Sequence, residues 1–117
     1  MQRDIRKYLL DIDLHIGYID SFLKGQRDFV AYESDLATQY AVERALGIIG
    51  EAANQVRKLN ADAPISSLNR IVGMRNLLIH AYDSLDNAIV WSILVNHLPT
   101  LQTEVQLMLK ALDASTN

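Results

Sequence analysis

The chain has 117 residues, of which 50% are hydrophobic and 21% charged, with a formal net charge of −3 and no cysteine. That length fits one domain, here residues 1–117, able to bury a core without disulfides or a structural metal. Missing cysteine excludes thiol nucleophiles, cysteine-type zinc sites and a disulfide framework, and the acidic balance argues against a general nucleic-acid coat protein.

No apolar run approaches the roughly 20 residues that span a bilayer, so no membrane partner is expected. The charged opening Gln2-Arg3-Asp4-Ile5-Arg6-Lys7 has no apolar run behind it, which argues against secretion. His15, His80 and His97 are too far apart for a short metal-binding motif, and no cofactor is expected.

Five glycines and two prolines punctuate the sequence, and apolar residues recur at steps of three and four, so every element is predicted to be helical. The first helix runs from about Asp4 to Lys24, with Ile5, Tyr8, Leu9, Ile12, Ile16, Ile19 and Leu23 as its apolar stripe and Gly25 as its stop. A single turn is expected over Asp28 to Tyr32. Ser34 or Asp35 caps a second long helix whose predicted buried line is Leu36, Tyr40, Ala41, Ala45, Ile48, Ile49, Ala52, Val56 and Leu59. It ends near Asn60, before a connector closed by Pro64.

A third helix follows from Ile65 to about Tyr82, then a turn at Asp83-Ser84-Leu85-Asp86. The fourth helix spans Asn87 to about Asp113, with a bend or break at Pro99, whose ring removes a backbone hydrogen bond. Residues 113–117 are expected to fray. Short connections between four long amphipathic helices imply an all-α, antiparallel up-down bundle.

The third helix carries a polar line where core was expected. On a wheel with Arg75 at the origin, Asn69, Gly73, Asn76, His80 and Asp83 fall between about 80° and about 160°. The second helix has a related line of small or polar residues, Glu43, Gly47, Gly50, Asn54 and Arg57. Two such seams suggest a second contact surface, most simply a twofold homodimer; the plainer alternative is that both face water.

Within the first of these lines lies Arg75-Asn76-Leu77-Leu78-Ile79-His80-Ala81-Tyr82. Asn76 and His80 are helical neighbours, so the amide can orient the imidazole. Arg75 and His80 stand about 140° apart on one helix, so two copies meeting at a dimer axis would let both types converge on one groove. Arginine grips phosphate and histidine titrates near neutrality, which suits metal-independent RNA cleavage by the 2′-hydroxyl. Glu51 either pairs with Arg75, lines that groove, or is simply an exposed helix glutamate.

The R-x-x-x-x-H string, extended to Tyr82, resembles the signature of HEPN domains and of their HepT toxin subgroup. Ile49-Gly50-Glu51-Ala52, Val72-Gly73-Met74-Arg75-Asn76 and Asp86-Asn87-Ala88-Ile89-Val90-Trp91 are similar to further segments of that family. The resemblance implies a four- to five-helix bundle acting as a dimeric ribonuclease toxin, with Arg75 and His80 as catalytic pair; together with the missing export signals it implies the cytoplasm, and the spacing adds Asn76 and Glu51 as supporting residues. The resemblance also implies an MNT-type nucleotidyltransferase antitoxin as partner, which silences the toxin by attaching AMP to Tyr82. Leu77 stands where some members have another tyrosine, and Ile65-Ser66-Ser67 where the family usually has tryptophan. Two alternatives remain open: a non-catalytic module that binds a nucleotide or a nucleotidyltransferase, and a purely structural dimeric adaptor. His15 and His97 are expected to be structural.

Overall fold

The computed structural model describes residues 4–80 and 86–115, and at positions 76, 77, 79, 80 and 115 the backbone alone. Among these residues all regular structure is helical: α1 (Ile5–Phe22), α2 (Phe29–Glu33), α3 (Leu36–Leu59), α4 (Leu68–His80), α5 (Asn87–Asn96) and α6 (Leu98–Ser115).

Local chemistry explains most of the boundaries. Asp4, Asp28, Asp35 and Asp86 each precede a helix and accept a hydrogen bond from one of its first amides, the ordinary N-cap role of a short carboxylate. Thr38 also donates its hydroxyl to Asp35, and this bond, followed by the Thr38 amide, holds the Asp35 carboxyl below the usual carboxylate range. Beyond α1, Lys24 and Gly25 both take left-handed backbone angles, and the Gly25 amide closes onto the Asp20 carbonyl.

The predicted fourth helix is two helices. His97 interrupts it, and Pro99 becomes the second residue of α6, where a missing amide costs nothing because first-turn amides lack helical partners anyway. α6 then continues to Ser115, into the stretch expected to fray.

Ion pairs and hydrogen bonds fix an antiparallel arrangement. Arg6 at the start of α1 pairs with Asp113 near the end of α6, while Asp13 accepts from Gln102 and Gln106. α3 packs between α1 and α4, and α6 lies against both α1 and α5. The core is one contiguous cluster to which each long helix contributes, including Leu9 and Ile12 from α1, Leu46 and Ile49 from α3, Ile71 from α4, and Leu101 and Val105 from α6.

The start of α3 is rotated from the predicted stripe. Leu36 and Tyr40 are 60% and 65% exposed, and Leu59 is also exposed; Gln39, Val42 and Leu46 take the inner line instead. The reason is polar. The Gln39 amide donates to the carbonyls of Tyr32 and Glu33 at the end of α2, which a five-residue helix cannot satisfy internally. With Gln39 turned inward, Tyr40, one step of about 100° further on, faces solvent.

α4 begins three residues later than predicted, after Ile65 has entered the core. Its approach is held by Glu104 of α6, whose carboxylate accepts from the Ser66 amide at 3.0 and 3.2 Å and from the Ser66 hydroxyl at 3.2 Å. The Ile65-Ser66-Ser67 departure is therefore filled by one apolar side chain and one inter-helix polar anchor.

Candidate functional site

α3 and α4 approach closely at Gly50. A methyl group there would stand 2.9 Å from Arg75 Cβ and 3.3 Å from the Ile71 carbonyl oxygen, so glycine sets how near the two backbones come. Further along, Arg57 donates to Asn69 at 3.2 Å and to the buried Asn54 at 3.1 Å, stitching the two helices together. This corrects the sequence expectation for part of the α3 seam: Gly50 packs against α4 of the same chain, Arg57 bonds to Asn69 of α4, and Asn54 is buried with Arg57 as its partner. Their small and polar character is thus accounted for without a second copy. Gly47 and Gly73, by contrast, have open space where a side chain would be.

Arg75 leaves this contact with its backbone wedged against Gly50 and its Nε 3.0 Å from Glu51 Oε2. The Arg75 side chain is 28% exposed and that of Glu51 53%, so the pair sits at the protein–water boundary. Nε is buried and the contact is an ion pair rather than an aligned hydrogen bond. Of the options left open for Glu51, pairing with Arg75 is the one found.

Both residues line a cleft of about 410 Å³ that also takes in Lys7, Tyr8 and Asp11 of α1 and Arg44, Gly47 and Gln55 of α3. Lys7 pairs with Asp11 at 2.9 Å, whereas Arg44 is exposed and has no ion pair among the described residues. Lys7, Asp11 and Arg44 were missed by sequence reasoning. Arg44, Glu51 and Gln55 form a line just beside the predicted Glu43–Gly47–Gly50 seam, which is the signal that could have shown Arg44; nothing local points to the α1 pair.

Asn76 and His80 lie on the α4 backbone one and five residues beyond Arg75, with their side chains outside the description. Tyr82 and Asp83 lie outside the described residues. His15 has a structural role, its Nδ1 donating to the Asp11 carbonyl at 2.7 Å and its ring edge-on to Tyr18. His97 meets Arg70, with Arg70 Nη1 3.3 Å from His97 Nε2. Among the described residues no cluster of three or more histidine or carboxylate side chains could hold a metal ion, and no helix is long and apolar enough to cross a membrane.

Comparison with known proteins places the chain in a family. A family model described as ribonuclease HepT-like matches residues 12–108. A Thermococcus cleftensis protein named as a probable ribonuclease HepT is 34% identical over 114 residues, covering 94% of this chain and 100% of the relative. Two Methanocaldococcus jannaschii proteins, both named as candidate RNases, are 32% identical over 113 and 108 residues, covering 96% and 92% of this chain and 97% and 98% of their own. No solved structure matches. The helical fold and these matches define a ribonuclease, and the chain belongs to the HepT-like ribonuclease family.

Proposed function

We propose that the protein is a toxin-type, metal-independent endoribonuclease acting in the cytoplasm, with its reaction centre shared between two copies of the chain. His80 takes the proton from a ribose 2′-hydroxyl, the freed oxygen attacks the adjacent phosphorus, and the 5′-oxygen leaves with a proton. The products are a 2′,3′-cyclic phosphate and a 5′-hydroxyl. Arg75 balances the charge that builds on the phosphorus oxygens, Asn76 orients His80, and Glu51 aims the guanidinium.

The observation that carries this reading is the placement of Arg75: wedged against Gly50, faced by Glu51 and opening on a cleft that also holds Arg44 and Lys7. A guanidinium fixed on one side keeps its other donors for a phosphate, and fixed donors stabilise a transition state without reorganising. A nucleotidyltransferase of the MNT type is the expected antitoxin. AMP attached to Tyr82, seven residues after Arg75 in the sequence, would add a charged, bulky group to the motif and compete with RNA for Arg75.

The test is cleavage of a single-stranded RNA and of its 2′-deoxy counterpart. His80→Ala should lower RNA cleavage by about 10²–10⁴ while leaving the oligomeric state intact, and the DNA should be uncut by either protein. Co-expression with the nucleotidyltransferase should add AMP to the wild-type chain and not to Tyr82→Phe. RNA bound but never cleaved by the wild type would instead favour the non-catalytic module.

A further inference from the structure

A second groove, of about 500 Å³, runs between α4 and α5 and is lined by Arg70, Gly73, Met74, Ala88, Ile89, Ser92, Ile93 and His97. It is separate from the Arg75 cleft, with which it shares no residue. Its charge balance differs too. Two of the three cations in the Arg75 cleft are paired with Glu51 and Asp11, whereas among the described residues no carboxylate lines the α4–α5 groove.

Arg70 and His97, 27 residues apart in sequence, converge here at 3.3 Å. Guanidinium only donates, so His97 Nε2 accepts and the ring proton sits on Nδ1. Arg70 is exposed and, among the described residues, has no acidic partner; its contact with the His97 ring nitrogen spends one of five donors. An arginine left without an anion at the rim of a groove is a group waiting for one. The floor is of another kind: Met74, Ile89 and Ile93 are apolar, Gly73 leaves open space, and the Ser92 hydroxyl already accepts from Asn96.

We infer that this groove is an accessory RNA subsite, in which Arg70 grips a backbone phosphate beside His97 and the apolar floor receives the neighbouring nucleoside. It rests on membership of the ribonuclease family and adds a place where the strand is held away from the reacting bond. Register on α4 supports it. Gly73 and His80 are seven residues apart, hence on nearly the same side of the helix and about 10 Å apart along it. A strand reaching His80 can therefore continue down that side into the groove.

The experiment measures binding and cleavage of a fluorescein-labelled single-stranded RNA by wild type, Arg70→Ala, Arg70→Lys and Gly73→Leu, the last filling the groove without touching the Arg70–His97 contact. Arg70→Ala should weaken binding about tenfold on any sequence and flatten the salt dependence of log affinity by about 0.7, the value of one single-strand phosphate contact. The loss should appear mainly in KM, Arg70→Lys should restore part of it, and Gly73→Leu should raise KM with an unchanged salt slope. Wild-type RNA affinity and salt slope in Arg70→Ala would overturn the subsite while leaving the ribonuclease reading intact. Loss of affinity for an acidic peptide but not for RNA would overturn it in favour of a protein contact. A wild-type chain that neither binds nor cuts RNA would remove both.

Discussion

Replacing Gly50 by alanine tests whether the α3–α4 spacing is set by one missing methyl group. In a helix interior the substitution normally stabilises by about 1 kcal/mol, because alanine is the better helix former. Here the new carbon would lie 2.9 Å from Arg75 Cβ and 3.4 Å from Arg75 Cα. Ordinary carbon contacts are about 3.5–4.0 Å, so α4 must retreat by about 0.6 Å or more. Neither neighbour is the free end of a flexible side chain, and overpacking of this kind costs about 1–3 kcal/mol. The net expectation is a loss of about 1 kcal/mol.

Gly17 in α1, where a methyl group would meet nothing within 4 Å, supplies the contrast: Gly17→Ala should gain about 1 kcal/mol. Urea denaturation measures both. Because the retreat moves the backbone that carries Arg75, RNA cleavage by Gly50→Ala should also fall, by about tenfold, since misplacement by about 1 Å can cost about 10² in rate. A Gly50→Ala protein stabilised as much as Gly17→Ala and cutting RNA at the wild-type rate would refute the argument.

Tyr32 packs against Trp91 with ring centroids 5.3 Å apart, yet its hydroxyl is buried with no hydrogen-bond partner among the described residues. Burial, and then the charge of Glu43, push its ionisation well above the ordinary tyrosine range. Tyr32→Phe should therefore raise stability by about 1 kcal/mol in thermal unfolding, and a comparable loss would mean that the hydroxyl is paired. Burial also holds the Glu43 carboxyl above its ordinary range, so its contribution is fully present at pH below the unfolded value and lost as pH rises through the folded one. Glu43→Gln should gain on the wild type as pH is raised from about 4 to about 7; parallel stability curves would exclude this effect.

Features that depend on neighbours in sequence were legible before the structure. Asp4, Asp35 and Asp86 announce helix starts because a capping carboxylate reaches only two or three residues ahead, and Pro99 announces a break because its ring forbids one backbone bond wherever the chain goes. The inward face of α3 was not legible at its start, since Gln39 is turned inward by carbonyls of another element. The same holds for the site. Arg75 and its motif stand out as a string, and Glu51 emerged as one of several options. Lys7 and Asp11 reach the cleft only through the packing of α1 on α3. The α4 and α3 polar lines looked alike on a wheel, but Gly50 and Arg57 of one and Asn69 of the other are consumed where the two helices meet, a distinction that depends on distance and not on periodicity.

The carboxylate of Glu104 receives the chain just ahead of α4 from 38 residues further along. The helix bearing the arginine is thus moored by a segment synthesised after it. A polypeptide released before α6 emerges would contain the whole R-x-x-x-x-H string with its leading end untethered. For an enzyme that attacks RNA, that order of assembly would delay activity until α6 has been made.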